Sequence, residues 1–451
     1  KSIFVICFWG VMPCCATSFF SQRFEQRCSM TRKQKCHVLT LSGLLIGIIF
    51  IVNIYFLHVI SSEPASARRS STQRNQTPIK TNSDKFIPAY SNVNTNFYSI
   101  FYELKRQLTL KKNDNISTIW AASKQWPLDG FIYSTIDPLF ANVLEALRTS
   151  KIIHAENSQK GTQLKLLLTL EGGQNVLFKP QWYARDFIIR GSVYSGKDRH
   201  NAEVVAFYLS MLLDIRWVPL AVLRRLNART DIYDVATPQL KQTMFTKENG
   251  TMCLYGKCFY CRRNETVCGD QHGEVEGAAI LVVEQPFKKY RSPWQRTYNT
   301  QKQADWEHNT EYCSMVKRTH TLSRVLDLVD AAIFDFLLQN GDRHHYETYL
   351  DRIVLLDNGK GFGNPNKDFT DILAPLYQCC VLRRSTWERL LLLPGGSLSE
   401  ALSSLSTLPG TSLPPLLTPA HLEALDRRLF TIYSTVDTCV QKYGKYVLKN
   451  K

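Results

Sequence analysis

Residues 337–349 read LLQNGDRHHYETY, where an Asp, an Arg, two adjacent His and a Glu crowd into six positions behind an apolar run. Such a cluster could ligate a metal or move a proton. Adjacent residues project in different directions, whereas familiar zinc pairs use i, i+4 spacing on a helix, so His344 and His345 read as packed or hydrogen-bonded loop residues. The acids are left to carry the chemistry. Asp342 lies in this loop, Asp357 closes the next apolar run fifteen residues later, and Lys179 ends an earlier one. Phosphoryl transfer needs a cation on the phosphates, a carboxylate-held divalent metal, and a carboxylate that orients or deprotonates the attacking hydroxyl. The chain holds candidates for all three. Each alone has a plainer reading, since a strand-end Lys is usually solvated and an Asp before Arg is usually a turn residue or half of a salt bridge. Their joint order favours the chemical one.

The surrounding pattern predicts the elements that must position these residues. Two strand-like runs, LKLLLTL (164–170) and NVLFK (175–179), flank EGGQ, and two glycines in a four-residue connection predict a hairpin that ends on Lys179. DRHNAEVVAFYLSMLL (198–213) places Ala202, Val205, Ala206 and Leu209 at helical spacing behind a polar start. Leu322, Val325, Leu326, Val329, Ile333, Phe336 and Leu337 predict a buried helix over 322–338, with Gly341 expected to stop it. RIVLLD (352–357) reads as a buried strand delivering Asp357 to the turn DNGKGFG. Hairpin, lysine, helix, long helix, acid loop, strand and acid follow one another in kinase order. In the kinase pattern H-R-D-x-x-x-x-N the Asp and Asn are five apart; Asp342 and Glu347 keep that spacing, with Glu where Asn is usual.

The chain has 451 residues and 44% apolar content, enough for a real core and too apolar for a disordered protein. Its net charge of +16 is spread without a basic run of five or more, so no nucleic-acid partner is expected. Residues 38–60 (VLTLSGLLIGIIFIVNIYFLHVI) are uncharged, and at about 1.5 Å per residue they are long enough to cross a hydrocarbon core of about 30 Å. Arg32, Lys33 and Lys35 before this segment, against Glu63 after it, favour a cytoplasmic tail (1–37) and a translocated bulk, although Arg68 and Arg69 lie beyond. A cleaved signal peptide competes, but the run is too long and lacks a clear small-residue cleavage site. MTRKQK at Met30 makes a natural start, so residues 1–29 read as a gene-model extension, with IFVICFWGVM as a second hydrophobic segment the rival view. Residues 61–97 have the Ser, Thr, Asn, Pro and Arg content of an exposed stem, and a globular domain is expected over 98–446.

Five of the thirteen cysteines lie at or before Cys36, and eight lie beyond the membrane segment. An even translocated set suggests disulfides, a reading preferred to zinc for Cys253, Cys258, Cys261 and Cys268. Sequons at Asn75, Asn115, Asn249 and Asn264 all fall on the same side. KKYRSPWQRTY (288–298) could meet an acidic or sugar substrate, or be a solvated loop anchored by Trp294.

GDRHHYETY, LLDNGKGFGNP, ILAPLYQCC, DRHNAEVVAFYL, CLYGKCFYC and RSPWQRTY together resemble the secretory-pathway kinases, the family that includes the Golgi casein kinase and the glycosaminoglycan xylosylkinase. The likeness runs over residues 100–446. It implies an α+β, two-lobed divergent protein-kinase-like fold with disulfides, preceded by the N-terminal transmembrane helix. It further implies ATP as cofactor, Asp342 as catalytic base, Lys179 on the phosphates, and a metal, usually Mn2+ with Mg2+ as alternative, held by Asp357 and Asp198. Gln163, Glu347 and Asp357 would contact the nucleotide, and Ile280, Leu281, Val282 and Val283 would form the adenine-side hinge. General kinase logic pairs Lys179 with Glu203, and the sequence does not rank Asp198 against Glu203. The family's disulfide scheme maps onto Cys253–Cys268, Cys258–Cys261, Cys313–Cys379 and Cys380–Cys439.

FGNP, LAPLYQCC, CLYGKCFYC and HLEALDRRLF are most similar to the xylosylkinase branch, which implies phosphorylation of a xylose hydroxyl and a galactose–xylose glycan of the proteoglycan linkage region as partner. DNGKGFG resembles the casein-kinase branch almost as well, so a lumenal Ser protein kinase is the alternative, and a pseudokinase activating a partner kinase the third. The resemblance also implies a single-pass type II Golgi membrane protein with a lumenal catalytic domain, and leaves open self-association or pairing with a relative.

Overall fold

A computed structural model of the chain describes Gly47 and residues 90–110, 114–159, 161–299, 301–407 and 415–450. The chain divides into Lys1–Thr77 and Pro78–Lys451, and the architecture below belongs to the second unit. The expected tail (1–37), the membrane segment (38–60), the stem up to residue 89 and the Asn75 sequon lie outside the described residues. Among the described residues no helix is long and apolar enough to cross a membrane.

Three helices, α1 (Phe97–Gln107), α2 (Ile116–Leu128) and α3 (Phe140–Thr149), precede a sheet of β1 (Ile152–Asn157), β2 (Leu166–Leu170), β3 (Gln174–Pro180), β4 (Ala221–Asn227) and β8 (Glu274–Leu281). Its order is β1-β2-β3-β8-β4, antiparallel throughout. The expected hairpin is present with a tighter turn: Leu170 pairs with Gln174, so Gln174 joins β3, and Gly172 and Gly173 take φ of +84° and +81°. Leu166, Leu168 and Leu170 are fully buried, which fixes the register, because a one-residue slip would expose all three.

Helix α4 (His200–Leu212) is buried at every position and packs on β4 and β8, so it reads as apolar all round in place of one stripe. A short helix α5 (Pro238–Lys241) and a small sheet of β5 (Met244–Thr246), β6 (Met252–Leu254) and β7 (Val267–Cys268) follow β4. Beyond β8 come β9 (Lys288–Arg291), α6 (Asp305–His308), α7 (Tyr312–Thr319) and α8 (Leu322–Leu338), then β10 (His345–Tyr349) and β11 (Arg352–Val354), which complete a sheet of order β11-β10-β9. The chain ends in α9 (Ala374–Cys379), β12 (Leu382–Arg383), α10 (Arg384–Leu390), α11 (Ser397–Ser406), α12 (Pro419–Tyr443) and β13 (Leu448–Lys449). The architecture mixes helices and sheets around a contiguous core.

Helix α8 has the predicted bounds and is capped by Thr321, whose hydroxyl accepts from Arg324 N. Its end corrects one expectation: Gln339, at φ +61°, closes the helix, and Gly341 does not. Gly341 is needed for a different reason, since a Cβ there would lie 2.1 Å from Val193 Cγ1. RIVLLD is strand only as far as Val354; beyond it Leu355 N donates to Trp217 O and Leu356 O accepts from Arg343, so loop and side-chain partners replace the ladder. Tyr90 and Phe97, within the expected stem, are packed: Phe97 is buried, and Tyr90 stacks on Tyr433 with ring centroids 4.4 Å apart and donates to Asp437 Oδ1 at 3.0 Å. Cys253–Cys268, Cys258–Cys261, Cys313–Cys379 and Cys380–Cys439 are all bonded.

Candidate active site

Lys179 points from β3 into a nest of carboxylates. Its Nζ lies 2.5 Å from Glu203 Oε1 and 3.1 Å from Asp198 Oδ2, and it also donates to Asp357 Oδ1. Burial works against the ammonium, but Asp357, Glu203 and Asp198 together outweigh it and hold its pKa well above the usual lysine value. Asp357 responds in the opposite sense: Lys179 first, and Lys165 and Arg343 further off, hold its carboxyl well below the usual range against some desolvation. Its side chain is 62% exposed where that of Glu203 is 4%, so Asp357 is the solvent-facing member and Glu203 the deep one.

Each acid is delivered by a different local device. Glu203 sits in the first turn of α4. Asp198 lies two residues before that helix, its backbone N–H bound to Gln163 Oε1 at 2.8 Å and Lys360 Nζ 3.6 Å from its Oδ1. Gly359 admits it, because a Cβ at 359 would come within 2.6 Å of Asp198 Cβ. The start of α4 is anchored by His200, whose Nε2 lies 2.8 Å from Glu276 Oε1. Burial lowers the His200 pKa, and His200, Arg185 and Arg225 overcome the burial of Glu276 and lower its pKa to about 2. Asp357 takes a left-handed φ of +58° at the head of the glycine turn, which turns its side chain back toward Lys179.

The Asp342 loop is tied to the Asp357 turn by one arginine. Arg343 meets Asp335 of α8 through Nη2 at 2.7 Å and Nε at 3.0 Å, and donates to Leu356 O and, at 2.7 Å, to Asn358 Oδ1. Burial pushes Asp335 up while Arg343 pulls it down, and burial lowers Arg343 while Asp335 more than restores it. Because Arg343 grips the residues on both sides of Asp357, the two acids are set relative to one another by a two-toothed buried ion pair. Asp342 itself accepts from Tyr298 Oη at 2.5 Å.

The remaining expected residues are positioned by the sheets. Val176 and Leu177 of β3 pair with Leu281 and Ile280 of β8, and Val282 N donates to Asn175 O, so the stretch to Val283 leaves the sheet beside the lysine strand. Glu347 lies on β10 opposite Val354, with its carboxylate 3.3 Å from His345 Nε2. His344 and His345 pack edge to face, and among the described residues no set of three or more His, Cys, Asp or Glu is gathered for a metal. Asp198 and Asp357 still suit one. They come from separate elements to share the space around a single ammonium, and hard divalent cations commonly take one or two carboxylates and complete their shell with phosphate oxygens and water.

Two residues escaped the sequence reading. Lys165, buried at the start of the hairpin, brings a second ammonium within 3.9 Å of Asp357 Oδ1, and the strand-like run LKLLLTL carries no signal of that contact. Tyr298 lies in RSPWQRTY, whose Trp294 is buried and donates to Gln378 Oε1 at 2.7 Å, as an anchor would; nothing in that segment's spacing signals contact with Asp342.

Comparison with known proteins finds relatives over most of the chain. The family described as Golgi casein kinase, C-terminal, Fam20, matches residues 118–447. The chain is 44% identical over 416 residues to the glycosaminoglycan xylosylkinase homolog of Drosophila melanogaster, covering 91% of this chain and 97% of that one. A structure of hydra Fam20 with sugar superposes with a TM-score of 0.69 at 39% identity, covering 75% of this chain and 99% of that chain. The Golgi casein kinase with Mn/ADP bound superposes at 0.67 and 31% identity, over 78% and 92%. A likeness of this extent, falling on the elements that carry Lys179, Asp342 and Asp357, means that the chain belongs to the Fam20 family of Golgi casein kinase-like proteins.

Proposed function

We propose that this chain is a glycosaminoglycan xylosylkinase, a phosphotransferase that moves the γ-phosphate of ATP to a xylose hydroxyl in the glycosaminoglycan–protein linkage region of proteoglycans. One observation carries the substrate: identity is 44% along 97% of a xylosylkinase homolog, against 38% along 56% of the Homo sapiens extracellular serine/threonine protein kinase of the same family. Lys179 and Lys165 neutralise charge gathering on the phosphates, and the β8 exit at Ile280–Val283 offers backbone groups to the base, with Gln163 and Glu347 at the nucleotide's edges. Asp198 and Asp357 would hold a divalent Mn2+ or Mg2+, which would supply charge neutralisation at the phosphates. Asp342 orients the acceptor hydroxyl and takes its proton, and Arg343 keeps that carboxylate in register with Asp357.

The deciding experiment incubates the purified lumenal part with ATP and Mn2+ on a galactosyl-xylose acceptor and, side by side, on casein. Sugar phosphorylation is expected; phosphate on casein alone would move the chain to the Ser protein kinase reading, and nucleotide binding without turnover on either would make it a pseudokinase. We further place the enzyme in the Golgi as a type II membrane protein with 38–60 as its anchor. Four disulfides and three exposed sequons, Asn115, Asn249 and Asn264, support a lumenal domain. Endoglycosidase treatment of protein from secretory cells should shorten it; unchanged mobility would count against that placement.

A further inference from the structure

Nothing in phosphoryl transfer demands a tyrosine at the base, yet Tyr298 is there. Its Oη lies 2.5 Å from Asp342 Oδ1 and 3.2 Å from His344 Nδ1, and His344 Nδ1 lies 3.0 Å from the backbone oxygen of Asp342. Donor and acceptor inventories fix the direction of these bonds. An ionised carboxylate only accepts, so Tyr298 donates to Asp342; a backbone oxygen also only accepts, so His344 carries its proton on Nδ1 and can share it with the Tyr298 oxygen. Burial, and then Asp342 itself, raise the Tyr298 pKa above the usual phenol value, so it stays a donor. Tyr194 meets the Tyr298 ring edge-on at 4.8 Å and limits its drift.

We propose that Tyr298, backed by His344, is a positioning residue: it holds Asp342 by Oδ1 and leaves Oδ2 as the atom that takes the acceptor proton. This rests on Asp342 being the base, as proposed above. A carboxylate gripped by one oxygen cannot swing about its terminal torsion, and small misplacements of a reacting group are costly in rate. The arrangement also gives one of the paired histidines a purpose that is neither ligand nor acid.

Tyr298→Phe removes only the hydroxyl. With sugar acceptor, kcat should fall about ten- to a hundredfold, the range for losing a hydrogen bond to a charged group. KM for ATP and the denaturation midpoint should hold, because Tyr298 is 47% exposed and the ring remains. His344→Asn, which keeps an N–H near the Nδ1 position, should retain more activity than His344→Leu. Asp342→Asn, assayed in parallel, separates the two levels. Wild-type turnover in Asp342→Asn removes the base assignment and this role with it. An inactive Asp342→Asn beside a Tyr298→Phe at or above wild-type kcat overturns the positioning role alone, and a higher rate would show that the phenol merely occupies the acceptor's place. Should Tyr298→Phe lose its midpoint, equal activity in the two His344 variants overturns the proposal.

Discussion

Three carboxylates converge on the Lys179 ammonium, and that imbalance has a pH signature. The raised lysine pKa means its stabilisation is complete below the ordinary lysine value and is lost as pH rises through the raised one. Asp357, depressed, contributes above the ordinary carboxylate range and loses its share as pH falls through the lowered value. The cluster is therefore intact across neutral pH. Lys179→Met should lower kcat/KM by about 10²–10³-fold. It should also cost about 3 kcal/mol in metal-free denaturation, because Glu203 is left as an unpaired buried charge. Adding Mn2+ should restore part of the stability but not the rate. Lys179 and Glu203 were legible in the sequence because they lie in elements with readable periodicity, and Asp342 and Asp357 because they follow such elements closely. Tyr298 was not, since its bond to Asp342 spans 44 residues and joins two loops.

At the level of elements, two glycines act as close-approach points between segments. The sequence marks Gly341 and Gly359 as turn residues, but their Cβ positions are filled by Val193 and Asp198, and only the folded chain shows which neighbour demands the space. Gly341→Ala should destabilise by about 1–3 kcal/mol and slow turnover by displacing the Asp342 loop. Val193→Ala in the same chain should recover most of both losses, read from denaturation midpoints and kcat across the double-mutant cycle; no recovery would separate the two positions. Helix α8 was readable to the residue because its apolar stripe, Thr321 cap and buried face agree. The strand after Arg352 was read too long because an apolar run marks burial, and burial does not reveal whether a ladder partner or Arg343 takes the carbonyl.

Across the whole molecule, α12 closes on the DNGKGFG turn through His421, whose Nε2 lies 2.9 Å from Phe362 O and whose Nδ1 lies 2.7 Å from Thr418 Oγ1. Burial, aided by Arg199 and Arg428, lowers its pKa to about 4. A histidine kept neutral contributes stability above its unfolded value and loses it as pH falls, so roughly 2–3 kcal/mol should go between pH 6.5 and pH 4.5. Asp330, raised by burial to about 6, runs the other way as pH falls through that value, so the quantity to measure is the difference between wild type and His421→Gln at pH 7 and pH 4.5. A variant as acid-sensitive as wild type would remove His421 from the account. The fold class was visible in element order, but which distant segments close on one another was not, because that closure depends on contacts such as Phe362 with His421. Helix α9 ends in two consecutive half-cystines, Cys379 bound to Cys313 and Cys380, at a left-handed φ of +47°, bound to Cys439. Exchanging the two partners would change each closed loop by a single residue, so chain entropy scarcely distinguishes right from wrong pairing. The finished helix end does, since Cys379 closes α9 in helical geometry while Cys380 leaves it at a left-handed φ. Oxidative maturation of this chain should therefore pass through a swapped isomer and quicken with a disulfide isomerase, whereas a chain carrying Cys380→Ser and Cys439→Ser should mature without that dependence.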